Sequence, residues 1–250
     1  MYKKIIFIIL IIFSFIACNN NSNTENTEND KSEIINVGIY TYFYPFGYMK
    51  NGKIAGFDYD IMNEIAKAAN FKLKFHGMKF EDLLNALEAG KIDVVISAMT
   101  VTEERKKSID FSKIYYTSKQ VMLVKKNNNS ITNIEDLKGK SVGVVKDTTG
   151  NIIVTNIDGV NVEVFDVGGS AVLALEVDKI DAFVFDKDPS LNFMKYSDNI
   201  KLIEIENSIN EDYAIAVRKG NRELLEKINS GLSIIMNNGV YEELINKNFK

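Results

Sequence analysis

The sequence predicts a mixed α/β fold made of two similar lobes of mostly parallel sheet, and three observations carry that prediction. Short β-rich runs alternate with helical patterns, two pairs of segments recur in the same order, and residues 34–250 hold ample apolar content for a core. The helical patterns are amphipathic. DYDIMNEIAKAAN sets Met62, Ile65, Ala66 and Ala69 at the i, i+3, i+4, i+7 spacing of one helix face, and FEDLLNALEAG does the same with Phe80, Leu83, Leu84 and Leu87. The region from Glu223 to Asn248 predicts further helix. The β-rich runs are INVGIY, FKLKF, IDVVIS, SVGVV, NVEVF and DAFVF, most of them followed by a helical pattern, which is the order of parallel βαβ units.

The recurrence decides the number of lobes. LEAGKIDVVIS, residues 87–97, aligns without a gap with LEVDKIDAFVF, residues 175–185, and NVGIYT from Asn36 aligns with SVGVVK from Ser141. Two ordered pairs point to two lobes rather than a solenoid, which needs at least three units. Chance likeness between buried strands, which draw on few residue types, is the competing account. In open α/β sheets ligands sit beyond the carboxyl ends of the strands. Those ends are residues 40–41 and 97–98 in one lobe and residues 146–147 and 185–186 in the other. A cleft between them would hold Arg105 shortly after one strand end and Asp186 at the facing one, and opposite charges across a cleft suit a zwitterion.

The N-terminal segment is of another kind. Lys3 and Lys4 precede an apolar run from Ile5 through Ile16, closed by Ala17 and the only cysteine, Cys18. A charged start, an apolar stretch and a small residue make an export signal, short of the about 20 apolar residues of a spanning helix. A small residue directly before cysteine resembles a lipoprotein signal, in which the cysteine is lipidated and becomes the mature N-terminus. An ordinary cleaved signal and a retained anchor are the alternatives. Residues 1–17 are thus expected to be a signal peptide. Residues 18–33, with no aliphatic or aromatic side chain after Cys18, are expected to be a disordered tether holding a domain off a membrane.

Composition excludes several chemistries. The formal charge of −4 becomes more negative once Lys3 and Lys4 are removed, and the remaining lysines are scattered among acids, which argues against nucleic acid. One histidine and an anchoring cysteine leave no parts for a Cys-His pair, a histidine-based triad or a zinc site, so no catalytic residue, metal or cofactor is expected. His76, beside Gly77 after a strand run, reads as a solvent-facing turn residue.

Five segments then carry a resemblance: GKIAGFDYDIMNEIA, LEAGKIDVVISAMTVTEERKKSIDFSKIYY, EDLKGKSVGVVKDTTG, KIDAFVFD and YAIAVRKGN. In this order and spacing they resemble the polar amino-acid-binding proteins of ABC importers, and the likeness covers nearly everything after the tether. It implies a two-lobed periplasmic-binding-protein fold whose lobes are joined by two crossing strands, around residues 120–124 and 212–217. Lobe 1 would comprise residues 34–119 plus 218–250, and lobe 2 residues 120–217. It also implies a monomer outside the cytoplasm, anchored by lipid alone, that hands a free amino acid to a permease.

Site residues follow from the same resemblance. Arg105 matches the arginine that takes the ligand carboxylate, for which a planar guanidinium fork is suited. Thr100 matches a residue offering hydroxyl and N–H to that carboxylate, and Thr149 and Gly150 match a helix start that favours an anionic oxygen. Ala98 would accept from the ligand ammonium through its carbonyl, and Asp186 would pair with it. Phe43 and Phe80 match two aromatics that sandwich the ligand side chain. Each has a competing reading from the residues alone: Arg105 as a charge on a solvated turn, Phe80 as core, Asp186 as a helix cap. Tyr40 stands where many relatives have an aspartate and Phe185 where glutamine binders have a polar side chain, while Lys146 would reach an amide or acid oxygen. A pocket that loses a carboxylate and gains rings disfavours a cationic ligand side chain, so a neutral, glutamine-like L-amino acid is expected. The alternative is a secreted prephenate or arogenate dehydratase of the same fold.

Overall fold

Alternation of strand and helix is set from the first element. β1 (Ile34–Tyr40) buries Val37 and Ile39 completely and is followed by a small three-stranded sheet, β2 (Tyr42–Phe43), β3 (Gly47–Lys50) and β4 (Lys53–Ala55). α1 (Phe57–Ala69) turns Met62, Ile65 and Ala66 into the core, as its spacing predicts, and Ile61 with them, while Ala69 is only partly buried; the helix ends where Asn70 adopts a left-handed φ of 55°. Each of the fully buried Ile61, Met62 and Ile65 side chains contributes about 1.5 to 3 kcal/mol. β5 (Lys72–Met78), α2 (Phe80–Glu88), β6 (Val94–Val95) and the single-turn α3 (Arg105–Ser108) precede the long β7 (Ile109–Lys125). The second series is β8 (Ser141–Val145), α4 (Thr149–Thr155), β9 (Asn161–Phe165), α5 (Gly168–Glu176), β10 (Ala182–Asp186), α6 (Lys187–Met194) and β11 (Ile200–Glu204). β12 (Asn210–Arg218) leads to α7 (Arg222–Asn237) and α8 (Val240–Phe249). This computed structural model describes residues 33–206, 208 and 210–250, so the signal peptide of residues 1–17, Cys18 and residues 19–32 of the tether lie outside the described residues.

The two series have one plan. β1 lies parallel between β5 and β6, and β8 lies parallel between β9 and β10. The recurring Lys-Ile-Asp serves both halves alike. Asp93 donates its N–H to Asn36 O at 2.8 Å and accepts from Asn36 N–H at 3.0 Å, while Asp181 does the same with Ser141 at 2.7 and 2.9 Å. The glycines that recur one strand earlier have a steric reason. A Cβ on Gly38 would come within 2.4 Å of Ile92 Cδ1, and one on Gly143 within 2.6 Å of Ile180 Cδ1.

Among the described residues parallel pairing is confined to these two units; the strands that join them are antiparallel. β12 pairs with β6 and with residues 109–119 of β7, while residues 120–124 of β7 pair with β10 and residues 121–125 with β11. β7 therefore runs from one half of the sheet into the other.

Three local expectations are corrected. IDVVIS forms a strand over Val94–Val95 alone, because the backbone turns at Ala98 with a left-handed φ of 44°. The C-terminal helix begins at Arg222 and is interrupted by Gly239, whose φ is 88°. His76 is no turn residue: it sits half-buried inside β5, with Nε2 3.0 Å from Asn36 Oδ1 on the neighbouring strand.

Candidate ligand-binding cleft

The carboxyl ends of β1, β6, β8 and β10 converge on one narrow cleft. One end is aromatic. Tyr40 closes β1, Phe43 lies in β2, Phe80 opens α2 and Phe185 lies in β10. Phe185 stands edge-on to Phe43 at 5.3 Å and stacks on Phe183 at 4.8 Å; Tyr40 lies 6.3 Å from Phe80. Tyr40 is fixed at both ends, its N–H donating to Ser97 Oγ and its hydroxyl to Asp166 O, both at 3.1 Å. Burial pushes its phenol well above the ordinary range. Phe80 is half-buried, touching the core and lining the cleft at once.

Arg105 stands at the charged end of the cleft. Its neighbours Lys106 and Lys107 point to solvent and pair with Glu103 and Glu104, as a charge run ordinarily does. Arg105 itself is only 8% exposed. Its Nη1 donates to Thr100 O at 2.9 Å and its Nη2 to Asp147 O at 3.0 Å, with Cζ 5.4 Å from the centroid of the Phe80 ring, a cation–π distance. Burial lowers the guanidinium pKa, while Glu211, Asp186 and Asp147 act against that shift.

Asp186, 5% exposed, ends β10 on the same cleft. It occupies the N-cap position of α6, yet its side chain makes no capping bond; Oδ1 accepts from the Tyr213 hydroxyl instead. Burial pushes this carboxyl up to about 7, with Glu211 adding to the shift and Tyr213 and Gln120 opposing it. Glu211, 4% exposed, accepts from the Thr100 hydroxyl and, at 2.9 Å, from the Thr149 hydroxyl. Gln120 Nε2 in turn donates to Thr149 at 3.2 Å. The hydroxyl proton of Thr100 is thus committed to Glu211, which leaves its backbone as the part available to a ligand.

Nine of the expected residues line this cleft together: Tyr40, Phe43, Phe80, Ala98, Thr100, Arg105, Thr149, Phe185 and Asp186. Gly150 is buried beside it, where a Cβ would come within 3.0 Å of Val184 O and Gln120 Oε1. Lys146 stands apart, half-exposed and paired with Glu81 Oε2 at 2.8 Å. Ser97, expected as a strand end beside the cleft, lines it too, and Val145 and Thr148 do so without having been anticipated. Val145 was within reach of sequence, since it aligns with Tyr40 in the recurring strand. Glu211 had no such signal. Among the described residues, no three His, Cys, Asp or Glu side chains could hold a metal ion, and no helix is long and apolar enough to cross a membrane.

The sequence model of the bacterial extracellular solute-binding proteins, family 3, matches residues 35–250. The chain is 33% identical over 251 residues to a probable histidine-binding protein of Campylobacter jejuni, covering 98% of each chain. It is 34% identical over 228 residues to the ABC transporter glutamine-binding protein GlnH of Bacillus subtilis, covering 88% of this chain and 81% of that one. Among solved structures, an ancestral arginine-binding protein bound to arginine matches with a TM-score of 0.83 at 43% identity, covering 87% of this chain and 98% of that one. An ancestral arginine-binding protein bound to glutamine matches with a TM-score of 0.82 at 43% identity, covering 86% of this chain and 97% of that one.

Proposed function

The chain belongs to the bacterial extracellular solute-binding proteins, family 3, and from that premise we propose that it binds a free L-amino acid in the cleft between its lobes and hands it to an ABC permease. One observation carries this reading: Arg105 and Asp186, opposite in charge and both almost fully buried, line one cleft from different halves of the sheet. Buried charges need partners, and a zwitterion supplies both at once. The Arg105 fork takes the α-carboxylate together with the Thr100 and Thr149 backbone, beside Gly150. Asp186 and the Ala98 carbonyl take the α-ammonium, and Phe43 and Phe80 hold the side chain between them. The lobes are residues 34–119 plus 218–250 and residues 120–217, closing about β7 and β12.

A neutral, glutamine-like side chain fits best. Among the described residues Asp186 is the only acid lining the cleft, and the far end offers Tyr40, Phe43, Val145 and Phe185, so a ligand guanidinium or ammonium there would lack a partner, at a cost of several kcal/mol. Among the similar structures, one ancestral arginine-binding protein is bound to glutamine and one to arginine, which supports testing both. Family membership places the protein outside the cytoplasm; a lipid on Cys18 would anchor it there as a monomer. A dehydratase is disfavoured, since Asp186 sits opposite Arg105 as an ammonium partner and the relatives bear the names of binding proteins. A thermal-shift screen of the twenty common L-amino acids, followed by calorimetry of the hits, tests the reading. Stabilisation by glutamine above arginine is expected. Stabilisation by arginine or lysine alone overturns the neutral preference, and no stabilisation by any overturns the amino-acid site.

A further inference from the structure

Ala98 is an unusual residue to find in a left-handed backbone conformation. Its φ of 44° would suit glycine, and a side chain makes it costly unless the surroundings enforce it. The surroundings do so through Asp58. This carboxylate, wholly buried in the first turn of α1, accepts the Ala98 N–H on Oδ2 at 2.8 Å and the Tyr115 hydroxyl on Oδ1 at 2.7 Å. The Tyr115 oxygen accepts from the same N–H at 3.0 Å. With the N–H held by these two acceptors and φ fixed at 44°, the direction of the following carbonyl depends on one remaining torsion, so the bonds from Asp58 and Tyr115 restrict where it points.

We propose that Asp58, with Tyr115, is a positioning residue that fixes the backbone torsions at Ala98 so that its carbonyl is presented to the ligand ammonium. This rests on the reading of the cleft as an amino-acid site. Asp58 does not line the cleft and acts on the ligand through Ala98 alone. Its role is that of a hydrogen-bond acceptor, not of a second counter-charge.

Calorimetry on wild type, Asp58→Leu and Asp58→Asn, with the tightest binder among the twenty L-amino acids, tests this. Asp58→Leu keeps the volume without an acceptor, and a loss of more than about tenfold is expected, as for a lost hydrogen bond to a charged group. Asp58→Asn keeps one acceptor for the Ala98 N–H while the Tyr115 hydroxyl turns to accept from the amide, so affinity should stay within about threefold. Adding Ala98→Gly to Asp58→Leu should recover much of the loss, because glycine adopts the left-handed φ without strain. Equal losses in the Leu and Asn variants would make Asp58 a charge and overturn the proposal, as would wild-type affinity in Asp58→Leu. Should Asp58→Leu not fold, Tyr115→Phe removes the other partner, and unchanged affinity there overturns it too. If wild type binds none of the twenty, the cleft reading falls and this role with it, a result visible before any variant is made.

Discussion

Asp58 and Asp186 are alike in burial and in the shift that burial causes, each carboxyl being pushed up to about 7. They differ in company. Asp58 is surrounded by its own donors, Tyr115 and the Ala98 N–H, and is shut off from the cleft. Asp186 has the Tyr213 hydroxyl, faces the cleft, and is pushed further by the like charge of Glu211. A raised pKa therefore does not mark a binding group by itself. What separates the two is an open side, where a cation could still be accommodated.

The largest effect should come from exchanging each acid for its amide. Asp186→Asn leaves a bound ammonium without its counter-charge, a loss of about 3 to 5 kcal/mol, the range for stripping one partner from a buried pair. A deaminated analogue of the same ligand should lose little by that change, since no ammonium is left unpaired. Asp58→Asn should leave both ligands within a few fold of wild type. Calorimetric affinities for the two ligands on the two variants decide this; equal penalties for both ligands in Asp186→Asn would return Asp186 to the role of a structural carboxyl. Next comes Arg105→Lys, which keeps the charge and removes the fork. It should weaken any α-carboxylate ligand by about 1.5 to 3 kcal/mol, and near wild-type affinity in calorimetry would detach Arg105 from the ligand.

These differences were only partly legible in the sequence. The halves of the fold were legible because their constraints are repeated, the same residue types recurring in the same order in each half: Gly38 against Ile92 and Gly143 against Ile180, Asp93 beside Asn36 and Asp181 beside Ser141. Asp58 looked like an ordinary acid in a first helical turn, which needs no distant partner. Its partners lie 40 and 57 residues on, and nothing in their spacing announces them. Glu211 is hidden for the same reason, its two hydroxyl donors being 111 and 62 residues away in the chain. Lys146 is the converse case. It follows a strand end at a promising position, but a flexible side chain is free to leave the cleft, and Glu81 at the mouth gives it a reason to do so.

Proton linkage separates the two acids by a smaller effect. An unfolded aspartate titrates near ~3.9. With both carboxyls near 7 in the ligand-free fold, the folded chain binds more protons than the unfolded chain between about pH 4 and 7. Their contribution to stability is therefore full below about 4 and is lost as pH rises through 7. A bound ammonium favours the ionised form of Asp186 only. Binding should then release up to about one proton near pH 6, and affinity should rise with pH to a plateau above about 7. Binding enthalpies measured in buffers of different ionisation enthalpy report the proton count. Asp186→Asn should abolish the release and Asp58→Asn should leave it, whereas release that survives in Asp186→Asn would assign the proton elsewhere.

The smallest effect is expected where burial is lacking. At the mouth of the cleft Lys146 pairs with Glu81 at 2.8 Å and Lys79 with Asp166 at 2.8 Å, with at least half of each lysine side chain and of Asp166 open to solvent. Such pairs gain little, because water competes for both partners and salt screens what remains. Lys146 should therefore matter to a neutral ligand only through these contacts, and Lys146→Ala should change its affinity by less than about threefold. Raising the salt from low to molar concentration should change wild-type affinity by a similarly small factor, and Lys146→Ala should not enlarge that dependence. A loss of more than tenfold in Lys146→Ala, confined to ligands with an amide or acid at the end of the side chain, would mean that Lys146 leaves Glu81 and enters the cleft when ligand arrives. An exposed ion pair would then be the resting place of a specificity residue, and openness to the cleft before binding would no longer separate the groups that hold ligand from those that hold the fold.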